Sequence, residues 1–195
     1  VIGDGIQRLV GTGRAVRVVT ADRAAALADV TSGRVDVAVI AHTPPPSTLR
    51  SQQLAAYPQA LVVPAEHRLA GRRRLRVADL DGLDLVVPPA GRPHRETLER
   101  HLRDAGATWQ VTAEVDGWDL LVHFAGLGMG ATVVNGCVPA PDGLTAVPIT
   151  DLPTVAYWAV WRAPRESLVR DVLATLEPTD SRRRAERRGA AGPGR

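Results

Sequence analysis

The stretch Leu121–Val134, LVHFAGLGMGATVV, decides how the rest of the chain is read. It carries Gly126, Gly128 and Gly130 on alternate positions after an apolar run. A dinucleotide-binding turn needs Gly-x-Gly-x-x-Gly leaving a strand and opening a helix, so that the helix N-terminus meets the pyrophosphate. The spacing here is different, and so are the flanks. Upstream, Trp118, Leu121, Val122 and Ala125 fall at i, i+3, i+4 and i+7, one face of a helix. Downstream, ATVVNG is short and β-branched, which predicts a strand. The order is helix, glycine, strand, the reverse of a phosphate cradle. Gly126 or Gly128 ends the helix, and small residues let it pack closely on a sheet.

Working outward, the same alternation recurs. VRVVT (16–20) reads as a strand and DRAAALADVTS (22–32) as a helix, with Ala24, Leu27, Ala28 and Thr31 on one face. Thr20 or Asp22 can cap the start of that helix, and Gly33 suits its left-handed end. RVDVAVIA (34–41) returns as a strand buried on both faces, so the segment predicts a parallel βαβ unit. HTPPPSTLRS (42–51) breaks the pattern with three prolines. QALVVP (59–64) is a strand and EHRLAGRRRLR an Arg-rich polar loop. LDLVVPP (83–89) is a strand and GRPH a turn. HRETLERHLRDAG (94–106) is a helix, with Glu96–Arg100 and Glu99–Arg103 in the favourable i, i+4 order. WQVTAEV (109–115) and YWAVWR (157–162) are strands, and RESLVRDVLATL (165–176) is a closing helix.

Composition narrows the function classes. The chain has 195 residues, 45% hydrophobic and 23% charged, which suits a globular α/β protein. No apolar run reaches the roughly 18 residues of a membrane span, and no secretory pattern opens the chain. The first residue is Val1 rather than Met, which predicts a piece of a longer protein. Cys137 is the sole cysteine, so no disulfide forms within these residues and a thiolate metal cluster is excluded. A pI of 9.9 suggests nucleic acid, but residues 181–195 hold six Arg and one Glu, a net of +5. The remainder holds 18 Arg against 20 acids, a net of −2. Residues 178–195 are predicted to be a disordered, solvated tail. Catalytic patterns are poor: there is no HExxH and no G-x-S-x-G, and His94 and His101 at i, i+7 lack a third ligand. The reading is a non-enzyme without a cofactor or metal.

Four segments in order carry a family resemblance. LVHFAGLGMGATVV resembles the helix–glycine–strand element in the effector-binding domain of LysR-type transcriptional regulators. ALADVTSGRVDVAVIA, LVVPAEHRLAG and YWAVWRAPRESLVRDVLATL resemble three more elements of that domain, with Arg68 standing where the family has proline. The resemblance spans about residues 1–177. It implies a two-lobed, periplasmic-binding-protein type II-like α/β fold, with mixed sheets and helices on both faces. Lobe I would hold 1–60 plus 149–177, and lobe II 61–148. A small effector, an organic acid in this reading, would sit in the cleft between lobes of a cytoplasmic dimer or tetramer. DNA would be a partner only through an N-terminal helix-turn-helix, which has no counterpart here. The family's opening strand also has no counterpart: Val1–Val10 lines up with its first helix, which would leave two sheet edges unpaired. A stand-alone or periplasmic solute-binding protein of the same fold is the rival reading, and an α/β enzyme the second.

Ligands of open parallel sheets lie beyond the carboxyl ends of strands, near helix N-termini. That rule nominates Thr20, Ala21 and Asp22, with Thr20 either a ligand hydroxyl or a helix cap. It also nominates His42 and Thr43, either at the cleft or in a solvated loop. The loop Gly91, Arg92, Pro93 and His94 is the most chemical: Arg92 offers a planar fork suited to carboxylates, and Pro93 and His94 open a helix. The family's effector contact in the equivalent loop supports it. Trp118 is either a cleft wall or core.

Overall fold

The computed structural model describes residues 3–13 and 15–176. The predicted tail, 178–195, lies outside them. The described residues separate into two compact units, those within 3–56 together with 156–176, and 57–155.

In the first unit, β1 (Val37–Ala41), β8 (Val155–Trp161) and β2 (Arg50–Tyr57) form a sheet in the order β1-β8-β2, with β1 antiparallel to β8. Strand alternation sends side chains to opposite faces. Ala159 and Trp161 join Leu54 beneath α5 (Glu166–Leu176), where Val169 and Leu173 pack. Val160 and Ile40 instead join Val30 beneath α2 (Arg23–Ser32). The helix α1 (Gly3–Gly11) packs on α5.

α2 starts and stops where the sequence predicts. Asp22 is the cap, accepting the Ala25 N–H at 2.8 Å, and Gly33 closes the helix at φ 80°. The predicted parallel partner does not form. Residues 16–20 belong to no strand, with Val18 62% and Val19 50% exposed. A strand needs a neighbour's N–H and C=O groups, and among the described residues β1 is an edge strand whose sole partner is β8. The βαβ expectation is thereby corrected to helix followed by an antiparallel strand.

In the second unit, β3 (Gln59–Pro64) pairs antiparallel with both β6 (Thr132–Asn135) and β7 (Leu144–Pro148). A parallel pair, β4 (Leu83–Val87) and β5 (Trp109–Glu114), joins β6 through a bridge between Leu85 and Ala131. α3 (Pro93–Asp104) covers one face, where Leu98 and Leu102 pack with Leu61, Leu85 and Val133. α4 (Trp118–Gly126) covers the other, where Val122 packs with Val62 and Val134.

The opening stretch is a helix-to-strand joint. The Gly128 N–H donates to Ala125 O and the Met129 N–H to Phe124 O, closing α4 with Gly128 at φ 78°. Gly130, at φ 143°, then lets the chain lie directly on β4. A Cβ there would stand 2.7 Å from Asp84 O, the acceptor of the Ala131 N–H.

Candidate functional site

β4 and β5 run parallel, so their carboxyl ends lie together in the second unit, followed by the loops that open α3 and α4. After β4 the chain turns through Pro88, Pro89, Ala90 and Gly91 to Arg92, which stands just before α3. Pro93 occupies the first helical turn, where its missing N–H costs nothing. After β5 the chain passes Asp116 and Gly117 into α4 at Trp118. Neither α3 nor α4 has a side-chain cap from the residue before it, and the two helix starts lie in one loop cluster.

Ion pairs tie the cluster together. The Arg92 guanidinium is paired with Asp116, and both side chains are about half exposed. Arg95, only 12% exposed, donates from Nη1 to Glu114 Oε1 at 2.5 Å and to Pro88 O at 3.0 Å, and from Nε to Glu99 Oε1 at 2.7 Å. Glu114 first and then Glu99 raise the Arg95 pKa above its ordinary value, so it remains a fixed cation. The predicted Glu96–Arg100 and Glu99–Arg103 pairs are absent among the described ion pairs; Glu99 turns to Arg95 instead. The better-buried arginine, already held by β5, offers the stronger field.

His94 is buried. A carbonyl can only accept, so Nε2–H donates to Val133 O at 2.7 Å, which pins α3 to β6. Its ring meets Trp118 edge-on, centroids 4.8 Å apart, while Trp118 also packs on the Val62–Val122–Val134 cluster. The structure thus brings Gly91, Arg92, Pro93, His94 and Trp118 together in one place, with Arg92 facing solvent and His94 turned into the core. Asp116, Arg95 and Glu114 complete the cluster and were not singled out from the sequence. The signal was an Arg-rich helix start following one strand and two acids, Glu114 and Asp116, ending the next.

The remaining candidates belong to the first unit. Asp22 caps α2 and Thr20 is exposed before it. Arg23 reaches from α2 to the loop after β1, donating to Ala41 O at 3.2 Å and Pro44 O at 3.0 Å, so Thr20–Asp22 and His42–Thr43 lie near one another. His42 is in the left-handed region at φ 73°, and its N–H donates to Ala156 O. Desolvation and then the Arg23 charge hold its pKa below the usual histidine value. The Asp22 carboxylate already accepts the Ala25 N–H at the α2 start, so that donor is not available to an anion.

A depression of about 280 Å³ lies at the other end of β4, between His67, Asp84 and Gly130. Its lining includes Asp84 and no arginine, which makes it a poor receptor for an organic acid. Among the described residues no group of three His, Cys, Asp or Glu could hold a metal, and no helix is long and apolar enough to cross a membrane.

Two α/β units, each with a mixed or antiparallel sheet between helices, define a protein class that comparison with known proteins identifies. Residues 13–179 match the family described as LysR substrate binding domain, and the chain belongs to that family, with its periplasmic-binding-protein type II-like fold. Over 138 residues it is 31% identical to the HTH-type transcriptional regulator TtuA of Agrobacterium vitis, covering 65% of this chain and 44% of that protein. The chain therefore spans less than half the length of this curated relative.

Solved structures agree on the fold. The C-terminal domain of a probable LysR family regulator from Rhodococcus sp. RHA1 is 20% identical with a TM-score of 0.72, covering 88% of this chain and 91% of that one. The reduced OxyR regulatory domain of Pseudomonas aeruginosa is 17% identical with a TM-score of 0.74, covering 90% of each. The Synechocystis PCC6803 CcmR regulatory domain, solved in complex with 2-PG, is 16% identical with a TM-score of 0.71, covering 89% and 92%. TtuA and the Rhodococcus protein are described as transcriptional regulators, and at the family level this chain is an effector-binding domain rather than an enzyme.

Proposed function

We propose that this chain is the sensing part of a cytoplasmic, oligomeric transcriptional regulator, and that its effector is a small organic acid anchored by Arg92. The observation that carries the carboxylate reading is the Arg92–Asp116 pair beside two uncapped helix starts. Asp116 supplies the kind of group the guanidinium fork is built to hold, and an incoming carboxylate would exchange with it. The N-termini of α3 and α4 add the favourable ends of two helix dipoles. That CcmR was solved with a bound small molecule supports a ligand-binding role in this fold. Regulation then follows if the effector binds one arrangement of the regulator more tightly than another; equal affinity would shift nothing. DNA reading belongs to a helix-turn-helix of the kind that TtuA's name specifies.

The test is thermal melting with a panel of small mono- and dicarboxylates. A ligand at about 100 times its Kd stabilises by about 2.7 kcal/mol, or roughly 5–10 °C in a domain of this size. Arg92→Ala should cut the shift to about half or less while leaving the unliganded Tm within about 4 °C, because a half-exposed ion pair contributes about 0–1 kcal/mol. An undiminished shift in Arg92→Ala would remove Arg92 from the site. Neutral analogues that stabilise as well as the acids would remove the anion.

A further inference from the structure

Residues Arg68–Arg76, RLAGRRRLR, contain five arginines and no acid. The rest of the second unit, 57–67 with 77–155, holds four arginines against twelve acids, a net of −8. One short segment thus concentrates positive charge on an otherwise acidic body. The backbone beneath it is fixed. The Leu75 N–H donates to Pro148 O, and Leu75 O accepts from the Thr150 N–H, both at 2.8 Å. Leu75 and Val77 are buried, which turns Arg74 and Arg76 outward on the same side, about 7 Å apart along an extended chain.

The nearby acids are already engaged. Asp79 Oδ2 accepts the Arg76 N–H at 2.7 Å, Asp151 Oδ1 the Val77 N–H at 2.8 Å, and Asp81 Oδ1 both the N–H and hydroxyl of Thr108. Asp79 lies 3.8 Å from Arg72, and among the described residues no ion pair joins Arg73, Arg74 or Arg76 to an acid. By contrast, Arg92 and Arg95 of the same unit are each paired with an acid.

We infer that Arg72, Arg73, Arg74 and Arg76 form a docking surface for the phosphate backbone of duplex DNA. Closely spaced guanidinium groups on a rigid base, of which only Arg72 has an acid partner among the described residues, at 3.8 Å, match a polymer carrying one charge per about 1.7 Å of axis. Such contacts position without reading sequence. The inference uses the regulator reading only to choose duplex DNA among polyanions, and it does not depend on Arg92 or the effector.

The experiment is a fluorescence-anisotropy titration of the full 195-residue chain with a duplex of about 25 base pairs, from 20 to 200 mM salt. Each lost phosphate contact lowers the slope of log K against log salt by about 0.9. The R72S/R73S/R74S variant should lose about 2–3 from that slope, and R72K/R73K/R74K should retain it. The comparison variant R182S/R183S/R184S removes charge from the tail, which also attracts phosphate. If the patch serine variant matches wild type while the tail variant abolishes binding, the patch inference is wrong. Wild type that fails to bind at 20 mM salt also overturns it. So does a patch variant that loses self-association in sedimentation but keeps its DNA slope, since the patch would then serve a second copy. Because these side chains are exposed, the variants should melt like wild type and keep any carboxylate-induced Tm shift, which separates this inference from the effector reading.

Discussion

Replacing the three alternate glycines one at a time separates a packing joint from a ligand cradle. Gly130→Ala meets two penalties. A φ of 143° is a conformation L-residues rarely adopt, and the new Cβ would stand 2.7 Å from Asp84 O and 2.9 Å from Asp84 C. Those are backbone atoms in the contact joining β4 to β6, where the Ala131 N–H donates to Asp84 O and the Val86 N–H to Ala131 O. Neither can swing away, so backbone strain of about 1–3 kcal/mol is joined by a disrupted bridge, for a total of about 2–4 kcal/mol. At about 2–4 °C per kcal/mol the Tm should fall by roughly 4–16 °C. Gly128→Ala has open space around it and only the left-handed φ of 78° to overcome, about 1–2 kcal/mol. At Gly126 the backbone is helical and a Cβ meets Leu144 Cδ1 at an ordinary 3.6 Å, so alanine should be neutral or stabilising by up to about 1 kcal/mol. Chemical denaturation of all three gives the ranking. Equal losses at 126, 128 and 130, or a Gly130→Ala protein as stable as Gly128→Ala, would refute the close-approach reasoning.

Arg95→Ala should cost about 1–2 kcal/mol, because it leaves Glu99 and Pro88 O without their donor; a denaturation midpoint unchanged from wild type would show that the buried arginine contributes nothing net. Stability should also decline on acidification. His42 and His67 both have folded-state pKa values lowered by desolvation, with Arg23 and Arg68 respectively adding to the effect. A lowered histidine pKa means that the unfolded chain binds more protons, so the contribution is full above pH 6.5 and is lost as pH falls through 6.5 toward the folded-state values. A Tm series from pH 7.5 to 5 should therefore fall, and the fall should be shallower in His42→Asn/His67→Gln. Asn is chosen at 42 because it tolerates the left-handed backbone.

Several elements were legible because their signals are local. The Asp22 cap, the Gly33 terminator, the i, i+3, i+4 face of α4 and the β-branched β6 each depend on a few neighbouring residues. What was missed depends on partners distant in sequence. VRVVT has strand composition, yet residues 16–20 remain unpaired because no neighbouring strand is in place. β2, RSQQLAAY, was hidden because it exposes most of its polar residues and buries only Leu54. β7, LTAVP, is short and ends in proline.

The site divides in the same way. Arg92 was readable as an exposed cation at a helix start. Asp116 as its partner, and His94 as a core donor to Val133 O, required β5 and β6 to be placed beside α3. Charge order along α3 favoured Glu99–Arg103 locally, but Arg95, already held by Glu114 from β5, is the partner that Glu99 finds.

Calorimetric titration of the best-stabilising carboxylate into wild type, Arg92→Ala and Asp116→Asn shows whether Arg92 anchors the effector. If the effector's carboxylate displaces Asp116 from Arg92, removing the competing charge should tighten binding. Removing the guanidinium should weaken it by about tenfold or more, the loss expected for a charged hydrogen-bonded pair. Opposite movements of Kd in the two variants are the predicted result. Identical affinities in all three proteins would contradict the account, placing the ligand away from Arg92.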